Sequence, residues 1–145
     1  MKRVGLIAIL ALAVTPALAH ADFKTGKYKY SSGATSRCNV CSISFKASST
    51  KVSKLAFKVS TKKPACDSGQ RMGDNSADYK AVSGAIENDK FAITLSLQNA
   101  NGVFTAKVKG KLSGSQASGT LRSVFKFANG SECDSGKLKW AAERS

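Results

Sequence analysis

The sequence predicts an all-β protein, built as a single antiparallel β-sandwich or a small up-and-down barrel of about seven to nine strands. Apolar residues recur at every second position from Tyr28 onward, which is the period of half-buried strands. Short polar turns separate these segments. Helix-length segments that would connect parallel strands are not found, so antiparallel neighbours are expected.

The clearest predicted strand contains Phe91, Ile93, Leu95 and Leu97, which share one parity and therefore one apolar face. Five further segments show the same alternation. Trp140 has the parity of its apolar neighbour, which predicts a core position rather than a stacking platform. The apolar positions of these five segments are Cys41, Ile43, Phe45 and Ala47; Leu55, Phe57 and Val59; Phe104, Ala106 and Val108; Leu121, Phe125 and Phe127; and Leu138 and Trp140.

Turn chemistry marks the breaks between strands. The dipeptide Asn129-Gly130 is the one best suited to a type I′ hairpin. An irregular segment at 62–78 is longer than a hairpin loop, and it is expected to be either a functional loop or a tethered crossover. The other predicted turns lie at 48–51, at Asn88-Asp89, at 99–102 and at 113–115.

Residues 1–21 have the organisation of a cleavable signal peptide. A basic start precedes a short apolar run at 4–14, and small residues allow cleavage after Ala19 or, as we favour, after Ala21. The apolar run is shorter than the roughly 20 residues of a membrane span, so no transmembrane segment is predicted. Residues 22–145 are then expected to form a single disulfide-linked β domain, secreted or periplasmic.

The charge balance is strongly basic. The chain has 23 Lys and Arg against 9 Asp and Glu, and without Lys2 and Arg3 the net charge is +12. Such a field attracts anionic partners and is weakened by salt. Most of the cations are lysines, which act as point charges rather than as bidentate readers of bases, so no specific nucleic acid is predicted.

Four cysteines in an exported chain predict two disulfides. Three connectivities are open, and the close spacing of Cys38 and Cys41 favours a local pair that leaves Cys66 for Cys133. The Cys-x-x-Cys spacing also occurs in redox sites, but here it precedes a strand rather than a helix, so a structural bridge is expected. No metal site is predicted, because Cys66 and Cys133 lack close cysteine partners.

Catalytic motifs are missing from the predicted mature chain. The single histidine, His20, lies in the signal peptide, which removes histidine-based triads and histidine-ligated zinc. The remaining candidates are carboxylate pairs for glycoside hydrolysis or calcium binding. No enzyme activity and no cofactor are therefore predicted. The carboxylate pairs are Asp74 with Asp78, Glu87 with Asp89, and Glu132 with Asp134.

Lysines alternate on two of the predicted strands. Lys107, Lys109 and Lys111 share one parity, and Lys137 and Lys139 do the same near the C-terminus. If the two strands belong to one sheet, their outer faces form a basic surface. The predicted function is a non-catalytic module that binds an anionic cell-envelope polymer, surface or acidic protein. The alternatives are a small barrel that binds an apolar ligand and a carboxylate-based hydrolase.

Several short signatures occur along the chain. They are Ile43-x-Phe45, Leu55-x-Phe57, Cys66, the run 104–112, Gly114, Ala117, Gly119-Thr120-Leu121-Arg122, Cys133-Asp134-Ser135-Gly136 and Trp140-x-Ala142. In these signatures the chain resembles small exported bacterial β-proteins that have no assigned activity. The resemblance implies a bridge between Cys66 and Cys133, whereas Cys38 and Cys41 are additional to the pattern. It implies no function.

Overall fold

The computed structural model describes residues 22–31, 38–73 and 75–145, and only the backbone of 75–81. The predicted signal peptide, with His20, lies outside the described residues. Within them the chain forms strands and no helix, which confirms the all-β prediction. The strands are β1 (Gly26–Ser31), β2 (Asn39–Ala47), β3 (Lys51–Ser60), β4 (Asn75–Ala85), β5 (Lys90–Asn99), β6 (Gly102–Ser113), β7 (Gln116–Phe127), β8 (Glu132–Asp134) and β9 (Leu138–Arg144).

The strands form one antiparallel sheet that nearly closes into a barrel. Its order is β4-β3-β2-β1-β9-β7-β6-β5, and β8 pairs with β7 beside β9. The two ends of this path meet where Gly84 of β4 lies against Ile93 of β5, since a Cβ on Gly84 would be 2.5 Å from Ile93 Cγ1. The barrel is therefore the architecture adopted. In the part of the chain described, no helix has the length and apolarity to cross a membrane.

Four aromatic rings fill the barrel interior. Tyr28 of β1 stacks on Phe45 of β2 with ring centroids 5.3 Å apart. Phe45 also contacts Phe91 of β5 at 5.4 Å and Trp140 of β9 at 5.9 Å. Each of the four side chains is at most 5% exposed, which confirms the core position predicted for Trp140. The cluster joins strands from opposite walls of the barrel.

Gly110 of β6 makes room for these rings. A Cβ at this position would lie 2.5 Å from Phe91 Cε1 and 2.9 Å from Trp140 Cη2. Its partner across the ladder is Gly119 of β7, where a Cβ would collide with the Lys109 carbonyl oxygen. The two glycines therefore permit close approach of β6, β7 and the aromatic cluster.

Two apolar residues predicted for the interior are exposed. Leu97 is 54% exposed and Phe127 is 39% exposed, so the prediction of one continuous apolar face was wrong at these positions. They lie near the ends of β5 and β7, at one rim of the barrel, where the facing wall no longer covers them. The Phe127 ring packs instead against Phe125, with centroids 4.6 Å apart.

The type I′ turn occurs at a different dipeptide from the one predicted. Asn88 and Asp89 both have positive φ, at 50° and 60°, and Glu87 and Lys90 exchange backbone hydrogen bonds around them. At Asn129-Gly130 only the glycine has positive φ. Asn129 Oδ1 instead accepts a hydrogen bond from the Ser131 backbone N–H at 3.0 Å, so its side chain stabilises a longer loop between β7 and β8.

The disulfides join Cys38 to Cys41 and Cys66 to Cys133, as predicted. Disulfides are typical of a non-reducing, extracellular-type environment. The bridges span 3 and 67 residues of sequence, for which the chain-entropy model gives about 2 and about 4 kcal/mol of stabilisation. The long bridge therefore makes the larger contribution to stability.

The long bridge fastens residues 61–73 across one end of the barrel. These residues leave β3 and reach β8, which lies beyond β2 and β1 and next to β9 along the same edge of β7. Asp67 N–H donates to the Glu132 carbonyl at 2.9 Å, and Asp134 N–H donates to the Ala65 carbonyl at 2.6 Å. The disulfide tethers this segment as expected, but the expected crossover was wrong, because the segment connects β3 to its antiparallel neighbour β4 and is therefore a long hairpin loop. It is shorter than expected, because β4 already begins at Asn75.

Replacing Gly110 by alanine should lower the free energy of unfolding by about 1–3 kcal/mol, because the added methyl group overlaps the rings of Phe91 and Trp140. Gly73→Ala is the matched control, since a Cβ there meets nothing within 4 Å. Urea denaturation of both variants checks the expectation. Equal stability of Gly110→Ala and the wild-type protein would contradict the packing described.

Candidate functional site

The lysines of β6 lie on the outside of the barrel. Lys107, Lys109 and Lys111 are exposed, because they alternate with the buried residues Ala106, Val108, Gly110 and Leu112. Along one strand, alternate side chains on one face are about 6.6–6.8 Å apart. The three lysine side chains are therefore evenly spaced along the outer face of β6.

The pairing of β7 brings the second group of lysines to the same surface. Lys109 of β6 pairs with Thr120 of β7, and Thr120 pairs with Lys139 of β9. Two interstrand spacings separate Lys109 from Lys139, about 9–10 Å between backbones. Lys137 precedes β9 rather than belonging to it. It lines the same depression as Arg122, because Leu138 pairs with Leu121.

A groove runs along β7 between these lysines. Its floor is formed by the short side chains of Ser118 and Thr120, which face outward from β7. Long lysine side chains flank it on both sides. We call this surface the β7 groove: floor residues Ser118 and Thr120, wall residues Lys107, Lys109, Lys111, Lys137 and Lys139, and Arg122 at one end.

Two depressions along the β7 groove share Lys109 and Thr120 in their linings. The larger has a volume of about 640 Å³ and extends toward β5, where Lys90 and Glu87 contribute to it. The smaller has a volume of about 270 Å³ and lies at the Arg122 end. The two depressions adjoin at Lys109 and Thr120, and Glu87 is the one carboxylate among the lysines and arginine of their linings.

Arg122 is held in place by an acidic partner that the sequence analysis did not connect to the lysines. Its Nε donates to Asp134 Oδ1 at 3.0 Å, and its Nη2 donates to Asp134 Oδ2. The Gly136 backbone N–H donates to the same Oδ1 at 2.8 Å. Because Asp134 is fixed by β8 and by the turn at Gly136, the guanidinium has a defined orientation.

The ion pair shifts the pKa of both groups. The hydrogen bond from Arg122 is the main cause that lowers the pKa of the Asp134 carboxyl. Partial burial raises this pKa, and the hydrogen bond from the Gly136 N–H lowers it. The same hydrogen bond raises the pKa of Arg122. The Asp134 carboxylate is therefore stabilised in its ionised form, which is unsuited to donating a proton as a general acid.

The cations of the groove outnumber the nearby anions. Glu87 lines the larger depression, Asp134 binds Arg122, and Glu143 of β9 lies opposite Gln116 beyond the end of the lysine rows. None of these three carboxylates, nor any other that the structure describes, forms an ion pair with a wall lysine. The lysines are thus available to a partner.

The other sequence candidates are dispersed. Asp74 and the side chain of Asp78 lie outside the described residues, and Glu87 and Asp89 flank the turn before β5. Within 22–31, 38–73 and 75–145, no three His, Cys, Asp or Glu converge on a metal-sized site. A depression of about 850 Å³ lies along residues 60–73, and Ser60 in its lining pairs with Asn39, which lies inside the short Cys38–Cys41 bridge. Asn39, inside that short bridge, accepts a hydrogen bond from the Lys62 N–H at 3.0 Å.

In the folded protein, the carboxyl pKa of Asp134 should lie below about 3.8, and Arg122→Gln should raise it. Since the folded-state pKa is depressed, the pair stabilises the fold above about pH 4, and this contribution is lost as the pH falls through the folded-state pKa. The effect on stability is small, because the pair is largely exposed. Carboxyl ¹³C NMR titration measures the pKa directly.

Lys107→Gln is the matched control for that titration, since it also removes one positive charge and Lys107 pairs directly with Arg122 across the ladder. It should move the Asp134 pKa much less than Arg122→Gln does, because its interaction passes through solvent. An unchanged Asp134 pKa in Arg122→Gln would show that the ion pair does not form in solution.

No known protein family, no curated protein and no solved structure matches the chain significantly. The resemblance of its signatures to small exported bacterial β-proteins therefore stays a prediction.

Proposed function

We propose that this protein is a secreted, non-catalytic module that binds an anionic polymer, surface or protein through the β7 groove. The observation that carries the proposal is the convergence of lysines from β6 and from the β9 side on the two walls of one groove, with Thr120 between them. Cations spaced along a strand suit a partner whose negative charges also repeat.

The electrostatics of the groove support an extended partner. The wall lysines are exposed and free of carboxylate partners among the described residues, so binding does not first require an internal ion pair to break. Their mutual repulsion is relieved when a polyanion lies between them. At physiological ionic strength, screening acts beyond about 8 Å, so only groups that contact the groove closely gain much.

The chemistry of the chain supports binding rather than catalysis. The predicted mature chain lacks histidine, and the Asp134 carboxylate is committed to Arg122 as an ion pair. Export is supported by the two disulfides, which are typical of non-reducing compartments, and by the predicted signal peptide.

The test is a comparison of two triple variants on a heparin column developed with a salt gradient. Lys107→Gln/Lys109→Gln/Lys139→Gln removes the centre of the groove walls. We expect its affinity at low salt to fall about tenfold or more, equivalent to about 1.4 kcal/mol or more, because three close charge contacts are lost. It should elute at clearly lower salt than the wild-type protein.

The control triple is Lys27→Gln/Lys46→Gln/Lys51→Gln. It has the same net charge, but its exposed lysines lie on β1, β2 and β3, away from the groove. It should elute near the wild-type position. If both triples elute at the same salt concentration, or if retention does not depend on salt, the groove is not the binding surface.

A further inference from the structure

The Arg122 end of the β7 groove differs from the rest of the surface. At this end an arginine lies among the lysines, and the depression of about 270 Å³ is lined by residues from several elements. Its lining is Lys107 and Lys109 of β6, Thr120 and Arg122 of β7, and Gly136 and Lys137 of the segment before β9. We call this depression the Arg122 pocket.

Asp134 positions the guanidinium within this pocket. It occupies the Nε and Nη2 edge of Arg122, so the Nη1 edge is left for a ligand. Asp134 is itself bound by the backbone N–H of Gly136, which has the positive φ of 65° that the turn requires. The arginine is therefore oriented before any ligand arrives, which reduces the entropy lost on binding.

The donors around the pocket come from different directions. Lys107 lies directly across the ladder from Arg122, and Lys137 approaches from the opposite side of β7. Thr120 adds a hydroxyl group to the lining. Donors that converge from several sides match the oxygens of a tetrahedral anion better than the two coplanar oxygens of a carboxylate.

The charge of the pocket points to the same ligand. Three lysines and one arginine line it, and among the described carboxylates Asp134 alone forms an ion pair with any of these four cations, namely with Arg122. A phosphate monoester carries about −1.5 to −2 charges near neutral pH, which matches such an excess of cations. The volume admits one tetrahedral group with part of the residue that bears it.

We infer that the Arg122 pocket binds a phosphate or sulfate ester group of the polymer that lies in the β7 groove, with Asp134 as the residue that positions Arg122. This inference rests on the proposed function and adds the chemical class of the bound group. Ester oxyanions should contact the pocket, while the remaining lysines follow the negative charges farther along the groove.

The experiment compares Lys137→Gln with Lys111→Gln on three polymers of matched length and charge: dextran bearing phosphate monoesters, dextran sulfate and polyglutamate. Both variants remove one exposed wall lysine, but only Lys137 lines the Arg122 pocket. Fluorescence anisotropy at constant ionic strength gives each Kd. We expect Lys137→Gln to weaken binding of phosphorylated dextran or dextran sulfate by about fivefold, as loss of one oriented charge contact does, and Lys111→Gln to weaken it by about twofold or less.

The outcomes separate the two proposals. A larger loss for Lys137→Gln on an oxyanion polymer, but not on polyglutamate, supports the pocket, and the tighter of the two oxyanion polymers identifies phosphate or sulfate. Equal losses for both variants on all three polymers would overturn the pocket while leaving the groove as a general polyanion surface. If none of the polymers binds in a salt-dependent manner, the proposed function fails and the pocket fails with it.

Discussion

The contact of Phe45 with Phe91 is the constraint on which the rest of the structure depends. These rings come from β2 and β5, so their packing joins opposite walls of the barrel. This contact matters because the sheet itself is only nearly closed. Tyr28 and Trp140 extend the cluster to β1 and β9. Once this parity of side chains faces inward, the alternate residues of every strand must face solvent, and the lysines of β6 are among them.

The aromatic cluster lies inside the barrel, and the bridged residues 61–73 lie across one end. The binding surface that we propose lies on the outside of the barrel. The outer face of β7 differs from the barrel interior and from the crossed end, because its short side chains lie between longer cationic ones. The same strand alternation therefore produces the core and the groove, one on each side of the sheet.

Sequence periodicity predicted β2, β3, β5, β6, β7 and β9 and the outward lysines, because both depend on local parity. It did not identify β4, whose start at Asn75 falls in the segment expected to be irregular. Sheet order was not predictable in this way: β9 lies between β1 and β7, so the position of Lys139 beside Thr120 depends on a long-range register. Arg122 shares the outward parity of Thr120, but its pairing with Asp134 requires the β8 hairpin. Leu97 was misassigned because parity does not show where the packed interior ends.

The central claim is that the lysines of the β7 groove are the contact surface, and lysine footprinting tests it most directly. The protein is acetylated with and without saturating polyanion, and the labelling rate of each lysine is measured by mass spectrometry. The account predicts that Lys107, Lys109 and Lys139 become protected while Lys27, Lys46 and Lys51 react at unchanged rates. Equal protection of both groups, or protection of the second group alone, would contradict it.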